Sequence, residues 1–92
     1  MSLKFEWDKR KAISNLKKHG VSFEEAATAF GDPLSLTIHD PDHSIDEDRY
    51  LLMGTTSSRK LVVVAHMERN DTIRIINARP VTAGERKIYE EG

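Results

Sequence analysis

The stretch from Leu61 to Ala78, LVVVAHMERNDTIRIINA, decides the fold of this chain. Two runs rich in β-branched residues flank Arg69-Asn70-Asp71, a polar triplet typical of a tight turn. We therefore predict antiparallel strands over 61–68 and 72–78. Both runs are apolar at consecutive positions, which indicates strands that are covered on both faces. They form the predicted centre of a sheet.

Further strands are predicted upstream of this hairpin. Residues 34–39 (LSLTIH) alternate in polarity, and residues 49–56 (RYLLMGTT) form another strand-like run. A polar loop separates them, and Ser57-Ser58-Arg59-Lys60 provides the turn into the central hairpin. The four strands make an antiparallel meander, and residues 3–7 add a short strand at the N-terminus.

The first helix has clear start and stop signals. Asp8 is a good N-cap residue, and Gly20 is typical of the position just after a helix C-terminus. Ala12, Ile13 and Leu16 recur at helical spacing, so we predict that they form the buried stripe of this helix.

Two more helices follow from local patterns. Ser22 with Glu25 matches a capping box, which predicts a helix over 23–31. Pro80 is expected to end the last strand, because proline has no N–H to donate to the sheet. Thr82 then caps a C-terminal helix that runs to the end of the sequence.

The predicted fold class is therefore α+β, in a single domain over residues 1–92. It comprises a short N-terminal strand, two helices, a four-stranded antiparallel meander and a C-terminal helix. Three short helices are expected to cover only one face of the sheet. The other face would then be a groove or a partner interface.

The charged residues are strongly segregated along the chain. Residues 1–20 carry six Lys/Arg and two acids, residues 21–48 carry eight acids and no Lys/Arg, and residues 49–92 carry eight Lys/Arg and five acids. A polyanion could be held by the two basic thirds if the fold brings them together, although solvated surface charge explains the pattern equally well.

Several classes of site lack support. The chain has no cysteine, which excludes disulfides and thiolate metal sites. It shows no membrane-length apolar run, signal peptide, glycine-rich phosphate loop or G-x-S-x-G motif. These features fit a cytoplasmic protein with no membrane association.

The segment from His39 to Arg49 is the one candidate for a hard-cation site, with two histidines and five acids. It lacks the glycine and the ligand spacing of an EF-hand. Aspartate is also common in hairpin loops for conformational reasons. We interpret the segment as a solvated loop and predict neither a metal nor a cofactor.

Basic and aromatic residues offer a different chemistry. Cleaving an RNA phosphodiester needs a group that takes the 2′-OH proton, fixed positive charge and a proton for the leaving oxygen. Histidine transfers protons near neutral pH, and arginine offers a planar fork of donors to phosphate. The sequence offers His19 and His66 for the first chemistry, and for the second it offers four arginines, Arg69, Arg74, Arg79 and Arg86. Each of these residues could also have a purely structural role.

Three motifs in order resemble the BrnT-type toxins over nearly the whole chain. The first is FEWDKRKAISNLKKHGVSFEEAATAFGDP, residues 5–33. The second is HSIDEDR, in which His43, Ser44, Glu47 and Arg49 fall on the family pattern, and the third is RIINARPVTAGERKIYE, residues 74–90.

The resemblance implies a RelE-like fold and a metal-independent endoribonuclease that arrests bacterial growth in the cytoplasm. It also implies neutralisation by a ribbon-helix-helix antitoxin, through which the pair would contact operator DNA. The residues carried over as catalytic are His19 or His66 for proton transfer, Arg79 for charge stabilisation, and Tyr89 to orient or stack a base. Those carried over as RNA-binding are Lys11, Lys18, Arg49, Arg69, Arg74 and Arg86, and Glu68 belongs to the same pool.

The sequence departs from the family pattern in two ways. Asn77 stands where a serine is usual, and Pro80 follows Arg79. The pI of about 6.4 is also low for a protein that acts on RNA. The alternative function is a catalytically degraded toxin that binds antitoxin and acts as a co-repressor. A stand-alone DNA-binding domain is less favoured, because the second helix carries Glu24 and Glu25 rather than basic residues.

Overall fold

The computed structural model of the chain describes residues 3–41 and 48–92. The strands are β1 (Lys4–Glu6), β2 (Leu36–His39), β3 (Arg49–Thr55), β4 (Leu61–Arg69) and β5 (Thr72–Pro80). The helices are α1 (Lys9–His19), α2 (Phe23–Thr28) and α3 (Ala83–Glu91), with a 3₁₀ turn over Ala29–Gly31. The predicted α+β class and order of elements are confirmed. His43, Ser44 and Glu47, which carried part of the resemblance, lie outside the described residues.

The strands form one five-stranded sheet in the order β1-β5-β4-β3-β2. Strands β2 to β5 are the predicted antiparallel meander. Strand β1 adds to the outer edge of β5 in a parallel register, with Phe5 opposite Ile73. Because β1 is only three residues long, no strand of the described residues pairs with the outer side of β5 beyond Arg74.

A register shift at Ala65/His66 sets the direction of the side chains in the second half of β5. Ala65 pairs with Asn77 and His66 pairs with Ile75, so Ile76 is the extra residue of a β-bulge. Beyond the bulge Ala78 remains buried in the core. Asn77 and Arg79 consequently lie on the same face of the sheet as Arg74.

The core lies between the sheet and the first two helices. Phe23 is fully buried and contacts Trp7 edge-on at 5.9 Å between ring centroids. Phe5 and Phe30 make a similar contact at 5.2 Å. The backbone of the 3₁₀ turn approaches β3 so closely that a Cβ on Gly54 would lie 2.9 Å from the Ala29 carbonyl oxygen. This face of the sheet is the core face.

The buried side of α1 differs from the prediction. Ile13 and Leu16 are 60% and 50% exposed, whereas Asn15 is buried and Ala12 is half-buried. The predicted stripe is therefore wrong at Ile13 and Leu16, because Asn15 makes hydrogen bonds to backbone that a leucine could not make. The helix is therefore rotated so that its polar residue lies against β5.

The helices do not all cover one face of the sheet, so that prediction is wrong. α1 and α2 pack on the core face, whereas Ile88 of α3 lies over Leu51, Met53 and Val63 on the second face. No residue of α3 is fully buried. Ile88 and the strands below it line an apolar groove on this face beside the edge strand β2, where Ile38 is 60% exposed.

Two details of the helix and strand ends are also corrected. Ser22 accepts a hydrogen bond from the Glu25 N–H as predicted, but the Glu25 carboxylate accepts from the Thr56 and Ser58 hydroxyls of the β3–β4 turn. These hydrogen bonds lower the pKa of Glu25, the one from Ser58 most strongly. Pro80 is the last residue of β5, so it ends the strand as predicted, but it pairs with Val62 and the strand extends two residues beyond the predicted range 72–78.

None of the helices in the described residues is both long enough and apolar enough to cross a membrane.

Candidate nucleic-acid interface

The first helix and the open edge of β5 enclose a surface depression of about 380 Å³, which we call the edge groove. It forms where β5 continues beyond its short partner β1. Its lining residues are Lys11, Ser14, Asn15, Lys18, His19, Ile76, Asn77 and Arg79.

Helical periodicity explains the α1 side of the edge groove. Lys11, Asn15 and Lys18 recur at intervals of three and four residues, so they lie along one face of the helix. Lys18 and His19 belong to the last turn, where the carbonyl ends of the helix dipole favour cations. Gly20 ends the helix in the left-handed conformation, with φ of 72°. The helix therefore presents two ammonium groups and an imidazole to the groove.

The β5 side contributes the guanidinium of Arg79 and the amide of Asn77. The structure thus brings together four predicted site residues, Lys11, Lys18, His19 and Arg79, from opposite ends of the sequence. Their proximity matches the charge segregation, since the basic first and last thirds of the chain meet here. His19 is half-buried, which leaves its ring partly accessible to a ligand.

Arg79 is held by a carboxylate at the start of α3. Its guanidinium donates to both oxygens of Glu85, at 2.8 and 2.9 Å, and to the Pro80 carbonyl at 3.2 Å. The Glu85 carboxylate also accepts from the Thr82 N–H, which completes a capping box. The hydrogen bonds from Arg79 lower the pKa of Glu85 to about 2. The arginine is oriented by α3 but remains about one-third exposed.

This pair predicts a loss of stability in acid. Glu85 has a lower pKa in the folded chain than its ordinary 4.5, so its contribution is fully present above about pH 4.5 and is lost as the pH falls towards 2. Glu85→Gln keeps the capping box but removes the charge. The urea midpoint of the wild type should exceed that of Glu85→Gln at pH 7, and the difference should shrink between pH 4.5 and pH 2. If the difference in urea midpoint between the two proteins is the same at pH 4.5 and at pH 2, the lowered pKa of Glu85 is contradicted.

His66 does not line the edge groove. Its side chain is fully buried on the core face, where it packs edge-on against Phe30 and stacks on Tyr50. Nε2 lies 3.1 Å from a Glu68 carboxylate oxygen, and Nδ1 lies 3.3 Å from the Val64 carbonyl oxygen. This environment is that of a packed core histidine, and it does not support the prediction that His66 transfers a proton to substrate.

Tyr89 also lies outside the edge groove. Its hydroxyl donates to Asp32 at 2.5 Å and lies 3.2 Å from the Thr55 hydroxyl. The bond to Asp32 raises the pKa of Tyr89. Asp32 also accepts from the backbone N–H groups of Leu34 and Thr55. Tyr89 therefore fastens α3 to the loop before β2, and its predicted role in stacking a base gains no support from this geometry.

The other predicted cations are spread over the second face and α3. Arg69 and Arg74 line a separate pocket of about 170 Å³ at the β4–β5 turn, where Arg74 pairs with Glu6 at 2.8 Å. Arg49 is half-buried on β3, and Met67 lies between it and Arg74 across the sheet. Arg86 is exposed on α3 and lies 3.9 Å from Glu90.

Sequence reasoning missed four polar residues of the site. Ser14, Asn15 and Asn77 line the groove, and Glu85 orients Arg79, yet only Glu85 carried a visible signal, the Thr82-x-x-Glu85 capping box. Across residues 3–41 and 48–92, no group of three or more His, Asp or Glu side chains is arranged to hold a metal ion.

Comparison with known proteins agrees with this architecture. The family model described as ribonuclease toxin, BrnT, of type II toxin-antitoxin system matches residues 7–85. The fold is similar to the 1.1 Å crystal structure of the Brucella abortus ribonuclease toxin BrnT, with a TM-score of 0.68 at 18% sequence identity. That match covers 88% of this chain and 99% of the Brucella chain. No curated protein matches the sequence.

The fold and the family match together define a toxin of a type II toxin–antitoxin system. The chain belongs to the BrnT family. The resemblance stated from the sequence motifs is therefore confirmed, and an antitoxin partner follows from membership of such a system.

Proposed function

We propose that this chain is a metal-independent endoribonuclease that cleaves RNA within the edge groove. The observation that carries the proposal is the meeting of Lys11, Lys18, His19 and Arg79 in one open groove. A phosphodiester requires positive charge beside a group that can exchange a proton, and this groove supplies both from protein side chains.

The proposed reaction follows the chemistry of RNA itself. The imidazole of His19 takes the proton of a ribose 2′-OH, whose oxygen attacks the adjacent phosphorus. The bond from phosphorus to the 5′ oxygen breaks, and that oxygen is protonated from the solvent filling the open groove. The products are a 2′,3′-cyclic phosphate and a 5′-OH. Arg79 and Lys18 stabilise the negative charge that accumulates on the phosphorus oxygens.

The same geometry indicates how a longer RNA would be held. Arg74, Asn77 and Arg79 occupy successive positions on one face of β5 because the bulge at Ile76 removes the usual alternation. A single strand running from the edge groove along β5 would meet a polar, cationic row. Arg69, at the adjacent turn, extends this row. Because charged residues dominate it, binding should weaken strongly as salt rises.

We further propose that the neutralising partner is a ribbon-helix-helix antitoxin and that operator DNA is contacted through it. Membership of the family supports this partner. The pair of helices α1 and α2 is unsuited to direct DNA reading as a helix-turn-helix, because α2, its second helix, carries Glu24 and Glu25 in its first turn.

The purified protein should cleave single-stranded RNA in the presence of EDTA, and its expression without an antitoxin should arrest bacterial growth. Product ends should be 2′,3′-cyclic phosphate and 5′-OH, and a 2′-deoxy substitution at the cleavage position should block the reaction. Intact RNA after incubation with soluble, folded protein would contradict the nuclease proposal. Cleavage that requires a divalent metal would contradict the proposed chemistry alone.

A second candidate is a non-enzymatic module that binds antitoxin and acts as a co-repressor. The pairing of the arginines favours it: Arg74, Arg79 and Arg86 each lie within 4 Å of a carboxylate, which competes with phosphate. The apolar groove on the second face would serve partner binding in either case. Antitoxin binding without RNA cleavage or growth arrest would establish this alternative.

A further inference from the structure

Asn15 is a buried polar residue at the base of the edge groove, and its side-chain amide is fully engaged. The Nδ2 group donates to the carbonyl oxygens of Val21 at 2.9 Å and Ala78 at 2.8 Å, and Oδ1 accepts from the Ala78 N–H at 3.1 Å. The residue is 6% exposed. A buried amide is tolerated when its donors and acceptor are satisfied, as they are here.

The two bonds to Ala78 replace a missing strand. Strand β1 ends opposite Arg74, so within residues 3–41 and 48–92 no strand pairs with Ala78 on its outer side. The Asn15 amide binds both the N–H and the carbonyl of Ala78, as a paired strand residue would. This contact joins α1 to the part of β5 that forms the groove wall.

The same side chain links the two halves of the site. His19 lies one helical turn after Asn15 on the same face of α1, and Arg79 follows Ala78 directly in β5. The third bond, to Val21, fixes the chain just after the turn at Gly20 that ends α1. Relative movement of the last turn of α1 and the backbone of β5 at Ala78 therefore requires these hydrogen bonds to break.

We propose that Asn15 is a positioning residue that sets the separation of His19 and Arg79. The proposal rests on the assigned nuclease activity of the edge groove. Asn15 does not exchange protons in this role. It acts through the helix turn and the strand that it joins, and small misplacements of reacting groups can lower rates by about 100-fold.

The decisive variant is Asn15→Asp, which keeps the shape of the side chain. A carboxylate can still accept from the Ala78 N–H, but it cannot donate to the Val21 and Ala78 carbonyl oxygens and repels both. We expect kcat to fall at least about 10-fold with KM changed less than about 3-fold, because Lys11 and Lys18 still bind phosphate. If Asn15→Asp does not fold, Asn15→Ala, which buries no charge, takes its place.

Leu52→Ala is the control for a general loss of stability. Leu52 is a buried core residue of β3 that does not line the groove, and its truncation leaves a cavity. Assayed well below its melting temperature, Leu52→Ala should retain the wild-type kcat. Equal losses of kcat in the Asn15 variant and in Leu52→Ala, after correction for the folded fraction, would overturn the proposal.

An NMR measurement separates this proposal from the nuclease assignment. The His19 Hε1–Cε1 and Arg79 Hε–Nε cross-peaks should both move in the Asn15 variant and stay in place in Leu52→Ala. Absence of RNA cleavage by the wild type would refute the nuclease activity. The positioning role of Asn15 would then be tested by these chemical shifts alone. If the two cross-peaks do not move in the Asn15 variant, that role is refuted, whether or not the protein cleaves RNA.

Discussion

His19→Ala is expected to lower the rate of RNA cleavage by about 10²–10⁴-fold, the usual contribution of a positioned acid–base group. His19 is the one histidine among the residues lining the edge groove, where Lys18 and Arg79 provide the charge that a phosphate needs. The fold should persist, because His19 is only half-buried, in the last turn of α1. Single-turnover cleavage of a labelled RNA measures the rate.

His39→Ala is the matched control for this prediction. His39 is exposed on the edge strand β2, where its ring lies 4.6 Å from that of Tyr50 and outside the groove. Its removal should leave the cleavage rate within about twofold of the wild type. Equal loss in the two variants, or full activity of His19→Ala, would rule out His19 as the proton-transfer group.

The pH dependence of the cleavage rate is an independent test of His19 as the proton-transfer group. A histidine that exchanges protons changes its charge between about pH 5 and pH 8, so the wild-type rate should vary across that interval. The His19→Ala profile should lose this variation. A flat wild-type profile would instead indicate catalysis by fixed charge alone.

Arg79→Ala is expected to reduce cleavage by about 10²–10³-fold, the range seen when one donor to a developing oxyanion is removed. The guanidinium lies in the groove and is oriented by two hydrogen bonds to Glu85. The loss of stability should be small, about 1 kcal/mol or less, because the pair is partly exposed. Urea denaturation and cleavage kinetics on the same preparation separate the two effects.

Two further variants define what Arg79 supplies. Arg79→Lys keeps the charge but loses the planar guanidinium fork. Compared with Arg79→Ala, it should therefore recover part of the RNA binding and little of the cleavage rate. Arg59→Ala removes an exposed arginine of the β3–β4 turn that does not line the groove, and it should cleave RNA normally. Matching losses in Arg59→Ala and Arg79→Ala would show that net charge, rather than position, determines activity.

The ends of the helices could be predicted because their signals are local. Asp8 caps α1 by accepting from the N–H groups of Arg10 and Lys11, and Gly20 adopts the left-handed conformation that follows it. Thr82 caps α3 in the same way. Such signals depend on a few neighbouring residues, so they can be recognised without the tertiary structure.

The packing of each helix could not be read from the same patterns. The helical spacing predicted that Ile13 and Leu16 are buried, yet the side chain that faces β5 is Asn15. Its hydrogen-bond partners lie 6 and 63 residues away in the sequence. Likewise His19 and His66 were equivalent as candidates. Only the pairing of β4 with β3 and β5 shows that His66 is buried among aromatic rings while His19 lies in the groove.

The sequence by itself determined the elements, their order, the family and the pool of basic residues, because caps, turns and alternation are properties of short segments. The tertiary structure alone decided which of those residues form a site. The short reach of β1, the bulge at Ile76 and the contact of Asn15 with Ala78 together create the edge groove. Each depends on pairing between distant segments, and no local pattern encodes the distance between His19 and Arg79.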